Sequence, residues 1–146
     1  MTQPHFGTVF QTKLRSFRLS NHGQETDITA ILVSTAQDAQ AGNSINNPNR
    51  ATILRAGLVL GKITATGKYK EYNNASGDGS EVAAAILMQD VDMLIPGTAT
   101  PQDTGAVIAT IGEFDQNQLI YLTGSSGLTG MQADFLAAGS HIVLRA

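Results

Sequence analysis

Between Phe6 and Phe17 the chain alternates. Phe6, Thr8, Phe10, Thr12, Leu14 and Ser16 fall on one set of positions, and Gln11, Lys13 and Arg15 fall on the other. A period of two predicts a strand with one mildly apolar face. Asp27 to Ser34 (DITAILVS) predicts a second, more buried strand. It is followed by Ala36 to Arg50 (AQDAQAGNSINNPNR), where Asn, Gln, Gly and Pro leave little to pack and a loop is expected. So long a loop is uncommon inside a compact domain. The expected organisation is therefore an N-terminal arm and loop region over residues 1–50 and a β-rich body over residues 51–146.

The body opens with Thr52 to Leu54 and turns at Arg55-Ala56-Gly57. It continues as the apolar strand Leu58 to Ile63, which has Gly61 inside it. After a turn at Thr66-Gly67, Lys68 to Asn73 alternates again. Its hairpin partner is expected across the glycine-rich loop at Val82 to Met88, with Asp90-Val91-Asp92 closing the unit. Gly105 to Ile111 and Gln118 to Leu122 read as further strands, the latter alternatively as a helical turn. Leu128 to Ala138 is the clearest helix. Thr129 is placed as its cap, Met131, Phe135 and Leu136 stand at helical spacing, and Gly139 lies where a left-handed residue ends a helix. His141 to Leu144 makes a last strand. The fold class is mainly β (α+β with few short helices), without a repeat of 20 to 50 residues.

Composition supports this reading and narrows the partners. The 146 residues are 42% apolar and 14% charged, a mixture suited to short strands rather than long amphipathic helices. Twelve acidic against nine basic residues give a net charge of −3, which offers nothing to a polyanion, so no nucleic acid partner is expected. The absence of cysteine excludes thiol chemistry and Cys-ligated zinc. Apolar runs such as Val82 to Met88 fall far short of the roughly 20 residues that span a bilayer, so no membrane partner is expected. Met1 to Ser20 has no pattern of a signal peptide.

Candidate chemistry is scarce. In a calcium-loop register Asn74, Ser76 and Asp78 stand at positions one, three and five and Gly79 at six. Position twelve is Ala85, where a bidentate carboxylate is required. As a phosphate cradle, Gly77-Asp78-Gly79 is followed by Val82 in place of a third glycine, and Asp78 repels an anion. A turn built by Asn, Gly and Asp explains the loop with less. His5, His22 and His141 have no ligand spacing, and Gly124-Ser125-Ser126-Gly127 lacks the spacing of a nucleophile elbow. Lys13, Arg15 and Arg18 form a basic stripe, either a solvated strand edge or a contact for an acidic protein surface. No catalytic residue, metal ligand or cofactor is assigned, and no enzyme activity is expected.

The stretch Ala56 to Asp92 resembles the opening of the phage lambda-like head decoration protein family. The resemblance is carried, in order, by Gly67-Lys68-Tyr69, Asp78-Gly79-Ser80, Ala83-Ala84-Ala85-Ile86-Leu87 and Asp90-Val91-Asp92. Ile111-Gly112-Glu113-Phe114 and Asp134 to Val143 extend it, so that it spans Ile53 to Leu144. It implies a compact β-rich domain with an extended N-terminal arm. It also implies a homotrimer made in the host cytoplasm that binds the major capsid protein of a tailed phage at three-fold sites on the outer face of an expanded capsid, which it stabilises. The capsid-binding arm would comprise Phe6, Thr8, Phe10, Thr12, Leu14, Arg15 and Phe17, adding a strand to the coat protein. A tail or fibre accessory protein is the alternative within the structural class. A carbohydrate-binding β module is the other; it would use exposed aromatics, and the chain has no Trp and only Tyr69, Tyr72 and Tyr121.

Overall fold

Leu32, Leu60, Ile86, Leu87 and Ile108 are fully buried, and the strands that carry them close on one another. The computed structural model describes Arg18 and residues 27–38, 50–121 and 127–145. These form β1 (Ile28–Leu32), β2 (Ile53–Leu54), β3 (Val59–Lys62), β4 (Tyr69–Glu71), β5 (Ala83–Leu87), β6 (Val91–Asp92), β7 (Thr104–Ala109) and β8 (Ile111–Asp115). A 3-10 turn (Gln116–Gln118), the helix α1 (Gly127–Ala137) and β9 (His141–Arg145) follow. Strands β1-β4-β3-β5-β7 make a closed barrel, while β2-β6 and β8-β9 are two-stranded sheets. The mainly β expectation holds. Among the described residues no helix is long and apolar enough to cross a membrane.

Two cores share the barrel wall. One joins Leu32, Leu54, Leu58, Leu60, Ala85, Leu87, Met93 and Ile108. The other joins Val59, Ala83, Ile86, Ala109, Phe114, Met131, Phe135 and Ile142. Strands β3 and β5 contribute to both, which is why they read as continuous apolar runs rather than alternating ones. On its second face β5 presents Ala83, a small residue, in the core that also holds Met131 and Phe135 of α1.

The expected hairpin between Lys68–Asn73 and Val82–Met88 is not formed. Both strands flank β3 instead, with Leu60 opposite Glu71 on one side and Ala85 on the other, and the register shifts between Leu60 and Gly61. The chain from β4 to β5 must therefore cross β3. Gly61 makes the crossing possible, because a Cβ there would overlap the backbone of Ser80.

Strand β1, drawn from the first fifty residues, is a stave of this barrel. It pairs antiparallel with β7 from Ile28↔Ile108 to Leu32↔Thr104, and parallel with β4 at Leu32↔Tyr69. The body's sheet thus begins upstream of Ala51. Burial of Leu32 and the shared ladder with β7 outweigh the loop that separates β1 from β2 in sequence.

Helix α1 begins at Gly127, so Thr129 lies within its first turn rather than at the cap. Its end is as expected. Gly139 has φ +80°, Gly139 N–H donates to the Leu136 carbonyl at 3.1 Å, and Ser140 N–H donates to the Phe135 carbonyl at 2.9 Å. The helix supplies the crossover that a parallel β8–β9 pair requires.

Candidate functional site

Of the expected arm, Phe6, Thr8, Phe10, Thr12, Leu14, Arg15 and Phe17 lie outside the described residues, as do Lys13, His5 and His22. Arg18 is the described residue next to that segment in the chain. Its side chain is 4% exposed. Nη1 and Nη2 donate to the two carboxylate oxygens of Asp27 at 2.8 and 3.0 Å, and Nη2 also donates to the Ile111 carbonyl at 2.9 Å. The guanidinium stands 5.3 Å from the centre of the Phe114 ring, and the backbone of Arg18 forms an antiparallel bridge with Phe114.

A planar fork that grips a carboxylate and stacks on a ring is arginine's particular chemistry. The slot for it is made by Gly112, whose φ is +140° and where a Cβ would come within 3.2 Å of both Arg18 Nη2 and the Phe114 ring. The basic-stripe reading therefore does not hold for Arg18, which is buried and paired within its own chain. No periodic signal links Arg18 to Asp27, so the sequence offered no way to find the pair.

A second clasp has the same design. Asp38 is fully buried and accepts from Arg55 Nε at 2.7 Å, Arg55 Nη2 at 2.9 Å and the Arg55 backbone N–H at 3.1 Å. Asp38 N–H donates to the Ala51 carbonyl at 2.7 Å. Each clasp joins residues separated in sequence, Arg18 with Asp27 across 19–26 and Asp38 with Arg55 across 39–54. Such pairs are costly to break, by about 3–5 kcal/mol when one partner is removed.

The loop first suspected of metal or phosphate binding spends its polar groups on itself. Asp78 accepts from Ser80 N–H and Ser76 Oγ, both at 2.9 Å, and from Ser80 Oγ. Glu81 accepts from Gly79 N–H at 2.8 Å, and Asn73 accepts from Ala75 N–H at 3.0 Å. The Ser80 hydroxyl and N–H, with Ser76, hold the Asp78 carboxyl down to about 2. These are turn contacts, and they leave Ser80 buried against β3.

A cleft of about 450 Å³ beside this loop is lined by Lys62, Thr64, Tyr69, Glu81 and Ser140 among others. Lys62 stands 5.9 Å over the Tyr69 ring, and burial raises the Tyr69 phenol above its ordinary range. His141 is exposed on β9. Gly124, Ser125 and Ser126 lie outside the described residues.

Over residues 28–141 the sequence matches the family described as Bacteriophage lambda head decoration protein D. No curated protein matches the chain. The family match runs from the first residue of β1 to the first residue of β9, and so takes in the whole barrel, β2-β6, β8 and α1. The chain belongs to the bacteriophage lambda head decoration protein D family, whose members are structural proteins of the phage head.

Proposed function

We propose that this protein binds the outer surface of an expanded phage capsid as a homotrimer at three-fold and quasi-three-fold sites, contacts the major capsid protein there, and stabilises the shell. The family match across the barrel carries this reading. Stabilisation is mass action. A protein that binds the assembled shell and not its separated subunits shifts the balance toward the shell, and three linked contacts strengthen the grip beyond any one of them.

The arm is the part that reaches the coat protein. The alternation from Phe6 to Phe17 suits a strand added to a neighbour's sheet, where main-chain hydrogen bonds give affinity and the phenylalanines and Leu14 give burial. A subunit contact has apolar surface available on β1, where Ile28 and Ile31 are 46% and 45% exposed.

Cosedimentation with expanded capsids, assembled from the major coat protein encoded in the same genome, tests the reading. The full chain should pellet with capsids, and a chain lacking residues 1–17 should not, although its melting curve stays close to that of the full chain. The deletion stops before Arg18 because Arg18 belongs to the body. Full binding by the shortened chain would refute the arm, and no binding by the full chain would refute the function.

A further inference from the structure

We infer that Arg18 is the positioning residue of the capsid-binding arm, holding the arm's root at the outer edge of β8 so that the segment before it leaves the body from one fixed place. The inference rests on the reading of function above and adds to it where the arm is attached.

The geometry is that of an anchor. Arg18 makes three hydrogen bonds with one guanidinium, two to Asp27 and one to the Ile111 carbonyl, while stacked on Phe114. A backbone bridge to Phe114 holds the main chain as well as the side chain. Phe114 is fully buried in the core shared with α1 and β5, so the root is coupled to the rigid body and not to another loop. At Gly112 the strand gives up its own side chain to admit the guanidinium.

Without the clasp, the root would lose its guanidinium contacts to Asp27, to the Ile111 carbonyl and to the Phe114 ring, leaving the backbone bridge alone to hold it on β8. An arm whose root is less firmly placed reaches a given coat-protein site at lower effective concentration, and three such arms compound the loss. A pair so well buried is also little screened by salt, so the anchor should act equally at low and high ionic strength.

The test compares capsid binding by the full chain, the Arg18→Gln/Asp27→Asn pair, Arg18→Lys, and the chain lacking residues 1–17. All are assayed on the expanded capsids described above, at a temperature where each is shown to be folded. The double variant removes both charges together and leaves no lone buried ion. Arg18→Lys keeps a positive charge beside Asp27 but loses the fork that reaches Asp27 and Ile111 at once, so a role limited to charge balance would be rescued by lysine.

The expected result is binding weaker by about tenfold or more in both substituted chains, with an unchanged oligomeric state, and none in the shortened chain. If the double variant does not fold, Arg18→Lys decides by the same criterion. Full-strength binding by a folded Arg18 variant would overturn the anchor and leave the arm reading standing. Full binding by the shortened chain would overturn both.

Discussion

Gln132 of α1 completes the edge of β9 as a third strand would, its Oε1 accepting from Leu144 N–H at 2.8 Å while its Nε2 donates to the Ile142 carbonyl at 2.8 Å. On the other edge β9 is occupied by β8, to which His141 connects through the Thr110 carbonyl. A carboxamide offers one donor and one acceptor side by side, the same pair that a neighbouring peptide would present. The helix that crosses from β8 to β9 therefore also covers part of the free edge of the sheet it connects, at the Ile142 carbonyl and the Leu144 N–H.

Gln132→Leu keeps the size of the side chain and removes both bonds. It should lower stability by about 1–3 kcal/mol, because two half-buried backbone groups lose their partners. Thermal melting measures this directly. An unchanged midpoint would mean that water satisfies the edge equally well.

Gly61→Ala should be more damaging than a methyl group suggests. The added carbon would overlap the carbonyl and Cα of Ser80, which are backbone and cannot swing aside. Either the crossing loop lifts off β3 or the bulge at Leu60/Gly61 is lost, at a cost of about 1–3 kcal/mol or more. Wild-type melting of this variant would show that the loop does not lie across β3 as described.

The same glycine explains what the sequence concealed. β3, β5 and β9 were legible from apolar runs, β1 from its own pattern, and the end of α1 from Gly139. Each depends on neighbours within a few residues. The pairing of β4 was not legible, since hairpin rules join strands adjacent in sequence, and only the absent side chain at Gly61 marked the crossing. Arg18 with Asp27 and Asp38 with Arg55 were hidden for a related reason. A single charge pair leaves no periodicity, and Asp38 stood in a stretch whose polar composition argued for exposure. The arm was legible as an alternation and no further.

Two carboxylates give opposite pH dependence. Asp78 is held at about 2, below its unfolded value of about 3.9, so the native state binds fewer protons and gains stability above that value. This gain is lost as pH falls from about 4 toward 2. It is modest, because the side chain is 40% exposed. Glu71 is shifted upward by burial, partly offset by the N–H of Gln37, which donates to it at 2.9 Å. Its charged form costs stability at neutral pH, and the cost is relieved as pH falls through the raised value. Asp78→Asn should therefore melt below wild type at pH 7 and converge with it near pH 2. Glu71→Gln, which keeps an oxygen for Gln37, should melt at or above wild type at pH 7 and lose that advantage in acid. Differences that stay constant from pH 7 to 2 would contradict both assignments.

Ile31 is the sharpest probe of the proposed trimer. Along β1, Leu32 is buried and Ala30 packs against the core, so Ile31 projects from the opposite face and remains 45% exposed. β4 meets β1 at Leu32↔Tyr69 and does not cover it. Fully burying such a side chain against another subunit would contribute about 1.5–3 kcal/mol per contact, repeated at every interface of a closed ring. Ile31→Lys should therefore release monomers by light scattering at concentrations where the wild type is trimeric. The melting of the body should change by little, since no core contact is lost. The monomer should also bind capsids at least about a hundredfold more weakly, because one arm replaces three linked ones. A variant that remains trimeric would place the subunit contact elsewhere on the barrel. One that becomes monomeric yet binds capsids at full strength would show that attachment does not depend on three-fold linkage.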